Sequence, residues 1–537
     1  MAERRRFAYR RSLDQDASRP VRHPVVVVGG GLVGLTLALE LVTEGIDVVV
    51  LERNDTVSEG SRSICQAKRS LEVWNRFDGL GDRIRARGVT WNTGKVFLRD
   101  QLLYQFDLQP EGGQQMPAFV NLQQYLVEEF LIEELLRRGG EIRWRHAAAS
   151  VSQADDHVAV EVETPEGAYA LEADWLVACD GAGSGVRKQV GLVPEGEVFA
   201  DKFLITDVRM RPGFPAERRF WFEPPFHRGQ TALLHRQADD VWRIDLQLDP
   251  DADVEREREP ARVTQRVRAV LGEGVDFELE WVSVYVFQCR SLDRYLHGRV
   301  IFAGDAAHQV SPFGARGGNA GIQDANNLAW KLARVVRGSA GESLLASYEA
   351  ERIVGNRVDI LNSTRATDFM TPKTRATRSL RDAVLALAIG DTRFRAMVNS
   401  GRLSVPARYP DSPLSTPEQG NEGCAGGVEL GSPAVDAPLR VDGRPAWLLS
   451  LLGGRFVLLV LGRGEGLPET MSVAGEVVDV VRIDGERIVD PEGLARRRYD
   501  LRPGACRLFR PDQYLAARRS SFDAAWLDGA VRTAVGR

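Results

Sequence analysis

The 537-residue sequence is poor in cysteine and has no two cysteines in a CxxC arrangement. Its five cysteines lie far apart, at positions 65, 179, 289, 424 and 506. This excludes a disulfide-bonded scaffold and any zinc or dithiol site built on CxxC. Scattered cysteines are typical of a reducing compartment, so we expect a cytoplasmic protein.

The sequence also lacks a strong charge imbalance and a long uninterrupted hydrophobic segment. The formal net charge is −5 and the sequence pI is near 6.0, so we expect no nucleic-acid partner. The longest apolar run, 25–39, is interrupted by glycines and is shorter than the roughly 20 residues of a membrane span, so we expect no membrane association. The arginine-rich residues 1–23 lack the apolar core of a secretory signal and predict a flexible tail. No His, Cys and Asp residues have metal-ligand spacing, so we expect no metal site.

A strand-like run of valines, 25–28, leads directly into a glycine-rich turn with Gly29, Gly31 and Gly34 in GxGxxG spacing. An apolar helix, a second strand and Glu52 follow, in the order that a dinucleotide-binding fold requires. The glycines let the backbone approach a pyrophosphate at a helix N-terminus, and the carboxylate suits a ribose diol. The motif leaves open whether the nucleotide is NAD or FAD.

Two more buried strands end in polar turns further along the chain. The strand at 175–179 leads into Asp180-Gly181, and the strand at 300–303 leads into Gly304-Asp305. A glycine-rich loop at 311–319 follows the second turn, and apolar residues then recur at helical spacing. Backbone N–H groups at the start of that helix would favour a ligand with negative charge.

The three motifs, in this order, resemble the single-component flavin-dependent aromatic hydroxylases, the family of para-hydroxybenzoate hydroxylase, phenol hydroxylase and 3-(3-hydroxyphenyl)propionate hydroxylase. The resemblance is strong over residues 24–370. It implies an α/β fold in which a Rossmann-like FAD-binding domain, residues 24–400, is interrupted by substrate-binding segments near 90–120 and 200–290 that contribute a β-sheet domain. Pro-rich residues 401–424 predict a linker, and 425–537 weakly resemble a thioredoxin-like C-terminal domain, here without CxxC.

The resemblance also implies which residues bind FAD. Asp305 falls where the family binds the ribityl chain, Arg62 falls near the pyrophosphate, and Gln124 or the adjacent Gln123 helps to hold the flavin. The predicted FAD-binding residues are Gly29, Gly31, Gly34, Glu52, Arg53, Arg62, Gln124, Asp180, Asp305, Pro312, Gly314, Gly317, Gly318 and Asn319.

By the same resemblance, NAD(P)H would reduce the flavin, O2 would form a C4a-hydroperoxyflavin, and its terminal oxygen would pass to a small phenolic substrate. A base beside the phenol would favour the phenolate, and His235, Tyr285 and Arg316 are our candidate catalytic residues. Many relatives have Gly-Gln where this chain has Ala315-Arg316, so Arg316 either selects an anionic substrate or pairs with a carboxylate. We expect a homodimer.

Two other functions are compatible with these motifs. The protein could be an FAD-dependent oxidoreductase of the same fold that acts on a non-phenolic substrate, as an epoxidase or a reductase. It could also be a non-catalytic binding protein of that fold. The sequence leaves open the aromatic substrate and the choice between NADH and NADPH.

Overall fold

The computed structural model describes residues 4–60, 62–91, 93–108, 112–211, 215–398, 404–418, 426–462 and 466–537. The first part of the chain contains β1 (Val21–Val28), α1 (Leu32–Thr43), β2 (Val48–Glu52), β3 (Cys65–Ala67), α2 (Lys68–Asn75), α3 (Leu80–Arg87), β4 (Val89–Thr90), β5 (Thr93–Leu98), β6 (Gln101–Asp107), β7 (Phe119–Asn121), α4 (Gln124–Arg137), β8 (Glu141–Trp144), β9 (Ala147–Gln153), β10 (Val158–Thr164), β11 (Gly167–Ala178) and α5 (Gly185–Gln189).

The middle part contains β12 (Glu195–Arg209), β13 (Arg218–Phe222), β14 (Thr231–Arg236), β15 (Val241–Leu248), α6 (Val254–Glu257), α7 (Pro260–Leu271), β16 (Glu278–Ser291), β17 (Leu296–His297), β18 (Val300–Phe302) and β19 (His308–Gln309). The last part contains α8 (Gly317–Val336), α9 (Ser343–Met370), α10 (Arg375–Ala388), α11 (Thr392–Val398), β20 (Pro438–Val441), β21 (Arg444–Trp447), β22 (Phe456–Leu461), β23 (Thr470–Val473), β24 (Glu476–Ile483), β25 (Ile488–Val489), α12 (Leu494–Arg498), β26 (Cys506–Phe509), β27 (Leu515–Arg519) and α13 (Ala524–Ala534).

The first sheet has the strand order β17-β18-β11-β1-β2-β8, and β9 and β10 extend it from β11. Strands β18, β11, β1 and β2 run parallel, and their central residues are fully buried, as expected for strands covered on both faces. The carboxyl ends of the first three meet at one edge of the sheet. That edge is where a doubly wound α/β sheet binds its ligands, and here it carries all three predicted turns.

The second sheet has the strand order β19-β16-β12-β15-β14-β13-β5-β6 and takes strands from two separate segments of the chain. Trp242, Ile244 and Leu246 on its outer face pack against α7. Phe203 and Phe287 on the opposite face, which we call the inner face, pack against Phe313 of the glycine-rich loop. The inner face therefore turns towards the carboxyl edge of the first sheet.

The C-terminal part forms a five-stranded sheet, β23-β24-β22-β26-β27, and a smaller sheet, β21-β20-β25. Its β26–β27 turn packs Arg510 against α9, where the guanidinium contacts the buried carboxylate of Glu351. Lys331 Nζ lies 2.8 Å from the same carboxylate. The thioredoxin-like assignment of this part stays a prediction.

Two segments are more ordered than the sequence indicates. A flexible tail over residues 1–23 is wrong for residues 4–23, because Phe7 stacks on Trp144 with ring centroids 4.0 Å apart and Asp14 accepts a 2.6 Å hydrogen bond from Arg143. The linker predicted over 401–424 stays a prediction, and its described part, 404–418, is packed against the protein, since Ser412 donates to Glu351 and Tyr409 is buried. Residues 1–3, 401–403 and 419–424 lie outside the described residues.

No helix among the described ranges is both long enough and apolar enough to cross a bilayer.

We predict that Glu351→Gln lowers the free energy of unfolding by about 3 kcal/mol, because it leaves the buried cations Arg510 and Lys331 without their shared anion. These cations hold the pKa of Glu351 below its usual range, so this stability is present above the ordinary carboxyl pKa and is lost as the pH falls. Urea unfolding across pH measures both effects. Glu429→Gln, which alters an exposed ion pair with Arg408, is the control and should change stability by less than about 1 kcal/mol. Equal losses in the two variants would contradict the prediction.

Candidate active site

The turn after β1 packs closely against the start of α1 and against the end of β11. Gly34 belongs to the first turn of α1, and a Cβ there would lie 2.0 Å from the carbonyl oxygen of Gly29. Gly29 has φ +108°, and a Cβ on it would lie 2.5 Å from the carbonyl oxygen of Cys179. Gly31 caps α1 without a side-chain hydrogen bond, so the first N–H groups of the helix are available to an anion.

Glu52 closes this turn from the end of β2. Its Oε2 accepts a 2.8 Å hydrogen bond from the Gly30 N–H, and Oε1 accepts from the backbone and side chain of Asn54. A carboxylate has about four acceptor positions, so Glu52 retains capacity for ligand hydroxyls. The adjacent Arg53 is exposed and makes no hydrogen bond to a described residue.

Gln124 and Gln123, which the sequence left as alternatives, have different roles. Gln124 accepts a 3.0 Å hydrogen bond from the Ser63 N–H and donates to Ser58 and Glu128, so it faces the loop that carries Arg62. Gln123 is buried and donates to the Ala238 carbonyl at 3.0 Å, tying α4 to the second sheet. Of the two residues, Gln124 is the one whose hydrogen bonds reach the Arg62 loop.

The turns after β11 and β18 are joined by a buried arginine. Arg187 donates from Nη1 to the Ala306 carbonyl at 2.9 Å and from Nη2 to the Ala182 carbonyl at 2.6 Å. Asp180 accepts from the Val186 N–H through one oxygen, and its other carboxylate oxygen is buried without a partner in the described structure. Arg187 therefore sets the spacing of the two turns.

Asp305 lies beside the N-terminus of α8. Its Oδ1 is 3.9 Å from where a Cβ on Gly317 would stand, and its carboxylate makes no hydrogen bond to a described residue. Burial raises its pKa, while His308 and Arg62 oppose that shift. The carboxylate is thus available to accept hydrogen bonds from a ligand hydroxyl.

The loop before α8 is held by Asn319. The Asn319 Oδ1 accepts from the Ala67 N–H and the Ser70 hydroxyl, and its Nδ2 donates to the carbonyls of Cys65 and Ala315. Every polar position of this side chain is used inside the protein. Asn319 fixes the loop shape, and the N-terminal N–H groups of α8 at Gly317 and Gly318 remain for a ligand.

Pro312 and Gly314 shape the other end of the loop. Pro312 is exposed and its carbonyl accepts from the Ala315 N–H, while Gly314 has φ +95°. This bend directs Arg316 away from the loop surface: its Nη1 donates to the Phe313 carbonyl, and its Nε lies 3.5 Å from the buried Asp359 of α9. Of the two roles that the sequence left open for Arg316, the contacts support the ion pair.

Several inner-face side chains stay partly exposed although they face this loop. They are Ile205, Phe220, Asp245, Ser283 and Tyr285. We call the space between them and loop 312–319 the chamber. At one end of it Trp281 contacts the loop that carries Arg62, where a Cβ on Gly60 would lie 2.2 Å from the indole.

Tyr285 lies on the inner face in β16, directly opposite Phe203 of β12. Burial and the charge of Asp305 raise its pKa to about 12, so its hydroxyl stays protonated at neutral pH. Tyr285 can donate one hydrogen bond into the chamber.

His235 lies on the inner face in β14, opposite Arg243 of β15, which lies opposite Asp207 of β12. Asp207 accepts hydrogen bonds of 2.9 and 3.0 Å from Arg243. His235 has no hydrogen-bond partner on either ring nitrogen in the described structure. Burial, together with the nearby Arg218 and Arg243, lowers the pKa of its imidazole well below the usual value, so His235 is neutral at pH 7.

Sequence reasoning missed the charged residues around His235. Arg243 and Asp245 reach the inner face because polar and apolar residues alternate along β15, and Arg218 lies on the same face of β13 as Phe220 and Phe222. The alternation Trp-Arg-Ile-Asp-Leu at 242–246 is the signal that could have found two of them. The described residues contain no group of three His, Cys, Asp or Glu side chains suited to a metal ion.

The sequence and the structure were compared with those of known families and proteins, and the matches are to proteins that bind FAD or hydroxylate aromatic rings. The FAD binding domain family matches residues 22–357, and the family described as aromatic-ring hydroxylase, C-terminal, matches residues 428–537. A 6-methylpretetramide 4-monooxygenase of Streptomyces rimosus is 32% identical over 92% of this chain and 90% of its own.

Two further similarities extend over nearly the whole chain. A 3-(3-hydroxy-phenyl)propionate/3-hydroxycinnamic acid hydroxylase of Escherichia coli is 29% identical over 94% of this chain and 93% of its own. The solved structure of an anhydrotetracycline hydroxylase from Streptomyces rimosus superposes with a TM-score of 0.74 at 28% identity, covering 96% of this chain and all of that one. With its three glycine-rich or acidic turns at one sheet edge and a chamber beside them, the chain belongs to the family of FAD-dependent aromatic-ring monooxygenases.

Proposed function

We propose that the protein uses NAD(P)H and O2 to hydroxylate a phenolic aromatic substrate, and that polyketide phenols are among the compounds it accepts. The observation that carries the proposal is the chamber. One side of it offers an unpaired carboxylate and a helix N-terminus, and the other offers Tyr285 on a partly exposed, aromatic wall, with His235 buried on the same face of the sheet. The relatives named for acting on pretetramide and anhydrotetracycline support the polyketide class.

The residues present fit FAD. Gly29 and Gly34 leave no space for a side chain, Gly31 leaves the α1 N-terminus open to phosphates, and Asp305 has a free carboxylate. Bound FAD would supply the redox chemistry, taking electrons from NAD(P)H and activating O2. Arg53, Arg62, Gln124 and Asp180 would complete its binding site.

The chain's own residues would prepare the site for that chemistry. The uncapped N–H groups of α8 stabilise negative charge at the loop. Tyr285 would donate a hydrogen bond to the substrate, and neutral His235 could accept one from a substrate hydroxyl. The aromatic side chains Phe203, Phe287 and Phe313 close one end of the chamber and keep water from it.

The experiment that tests the function follows NAD(P)H oxidation by the FAD-containing protein over a panel of single-ring and polycyclic phenols. We expect a phenol to stimulate oxidation, with little hydrogen peroxide formed and one oxygen atom added to the product by mass spectrometry. Turnover of non-phenolic acceptors alone would favour the epoxidase or reductase alternative. Absence of bound FAD after purification and reconstitution would favour a binding protein.

We predict that Asp305→Asn weakens FAD binding at least about tenfold, because a hydrogen bond to a charged group contributes about 1.5–3 kcal/mol. Titration of apoprotein with FAD, followed by quenching of flavin fluorescence, gives the dissociation constant. Asp293→Asn is the matched control, since this exposed aspartate lies outside the site. If both variants bind FAD like the unmodified protein, Asp305 does not hold the cofactor.

We also propose a homodimer formed through α9 and α10. Val354, Val358 and Leu361 of α9 and Leu380 and Leu387 of α10 are each about half exposed. Their spacing places the members of each set on one face of its helix.

Val358→Glu should convert a dimer to monomers in sedimentation velocity, because it places a charge in an apolar contact. Val193→Glu, at an exposed valine outside these helices, should leave the dimer intact. A monomeric unmodified protein would disprove the dimer.

A further inference from the structure

The β26–β27 turn, residues 510–514, belongs to the C-terminal part of the chain and is buried against the helices of the FAD-binding part. Gln513 in this turn is anchored on its own side, because its Nε2 donates to the carbonyls of Leu449 and Leu452 at 3.0 and 2.9 Å. These two bonds fix the orientation of the amide. Its Oε1 therefore faces α2, where it accepts a 2.7 Å hydrogen bond from Arg69 Nη1.

Arg69 lies in α2 and joins this turn to α8. The residue is 2% exposed, and its Nη2 donates to the Asp512 carbonyl at 2.8 Å and to Asn326 Oδ1 of α8 at 3.1 Å. The guanidinium thus donates to three acceptors, two from the C-terminal part and one from α8. Hydrogen bonds from a charged donor are stronger than those from a neutral one, so this single side chain binds its partners firmly.

The residues on either side of Arg69 hold the loop before α8. The Ser70 hydroxyl donates to Asn319 Oδ1 at 2.7 Å, and the Ala67 N–H donates to the same oxygen at 2.9 Å. Asn319 in turn donates to the Ala315 carbonyl within the loop at 2.7 Å. The start of α2 is therefore bound to the C-terminal part through Arg69 and to the loop through Ser70 and Ala67.

Asn326 extends the connection to α1. Its Nδ2 donates to Glu40 Oε1 of α1 at 2.8 Å, and the same oxygen accepts from Arg76 of α2 at 3.1 Å. Helices α1, α2 and α8 are thus bound together around Arg69, and α1 and α8 are the two helices whose N-terminal N–H groups are available to FAD. Helix α2 has only 8 residues, too few to be stable alone, so its position depends on contacts of this kind.

We infer that Arg69 is a positioning residue through which the C-terminal part holds α2 and the loop before α8 in the shape that binds FAD. Arg69 acts through Ser70 and Asn319, and its own hydrogen bonds go to protein groups. The inference rests on the FAD site proposed above. It gives the C-terminal part a role in retaining the cofactor, and this role does not depend on the identity of the substrate.

A second buried arginine binds the C-terminal part without reaching the loop. Arg334 of α8 donates to the carboxylate of Glu476 in β24, with Nη2 2.8 Å from Oε2 and Nε 3.1 Å from Oε1. Arg334 lies in the last turn of α8, about 25 Å along the helix from its N-terminus. Arg69 and Arg334 therefore share their burial, their charge and their attachment to the C-terminal part, and they differ in their distance from the loop.

The test compares Arg69→Met with Arg334→Met, since each substitution removes a buried guanidinium that binds the C-terminal part and keeps a long apolar side chain. FAD is titrated into the apoprotein and followed by quenching of flavin fluorescence, and urea unfolding of the apoprotein is measured in parallel. We expect both variants to lower the stability of the apoprotein. We expect only Arg69→Met to weaken FAD binding, by about tenfold, because the loss of its charge-assisted hydrogen bonds releases α2 and the loop.

Two further variants test the route from the C-terminal part to the loop. Ser70→Ala removes the hydroxyl that holds Asn319 and should also weaken FAD binding. If Arg69 acts through Ser70, the double variant Arg69→Met/Ser70→Ala loses less affinity than the product of the two single losses, whereas Arg334→Met with Ser70→Ala shows the Ser70→Ala loss alone. Gln513→Leu removes the acceptor on the C-terminal side and leaves Arg69 in place. It should weaken FAD binding in the same direction, and it replaces Arg69→Met if that variant does not fold.

The inference is overturned if Arg69→Met and Gln513→Leu bind FAD like the unmodified protein, or if Arg69→Met and Arg334→Met weaken FAD binding equally. Equal losses would mean that the C-terminal part only stabilises the fold. These results are separable from the proposed function. Normal FAD binding by Arg69→Met with weak binding by Asp305→Asn would leave the FAD site in place and remove the role of Arg69. The expected order of FAD affinities in a protein that hydroxylates no phenol would do the reverse.

Discussion

The carboxylate of Asp324 in α8 is the contact on which the arrangement of the site depends. It accepts a 2.9 Å hydrogen bond from the Gly304 N–H and a 2.6 Å bond from His308 Nε2, and it pairs with Arg352 of α9 at 2.5 Å. Its contacts with His308 and Arg352 hold the pKa of Asp324 below its usual range. One buried anion thus links the turn that carries Asp305, helix α8 beside it, and helix α9.

Polar residues around the chamber divide into those that the fold uses and those that it leaves free. The fold uses the side chains of three residues to bind backbone carbonyls: Asn319, Arg187 and Arg316. Arg243 and Asp207 bind each other. Side chains whose hydrogen bonds are satisfied within the protein stabilise the local structure and are not available to bind a ligand. The carboxylate of Asp305, one carboxylate oxygen of Asp180 and both ring nitrogens of His235 remain without a hydrogen-bond partner among the described residues.

The sequence was sufficient to predict those parts of the site that are formed by residues close together in the chain. Gly29, Gly34 and Asp305 are specified by a strand, a turn and a helix within a few residues, and parallel strands then bring these turns to one edge. The wall of the chamber could not be foreseen in the same way, because Arg218, His235 and Asp245 become neighbours only through the register of three antiparallel strands. The sequence could not decide between the two roles of Arg316, because the carboxylate beside it, Asp359, belongs to a helix that the sequence alone does not place next to the loop. The ordered N-terminal segment depends on the Phe7–Trp144 stack, a contact between residues far apart in sequence.

The two halves of the site differ in how freely they can change. Cofactor contacts come from backbone N–H groups and from turns where a single Cβ would collide with a carbonyl oxygen, so few substitutions are compatible with them. The wall of the chamber is made of side chains on alternate positions of β13, β14 and β15, whose backbone bonding does not depend on which side chain they carry. Side chains on this wall can therefore change while the strands and the three turns keep their positions. Such independence is compatible with relatives at about 30% identity that are named for different aromatic substrates.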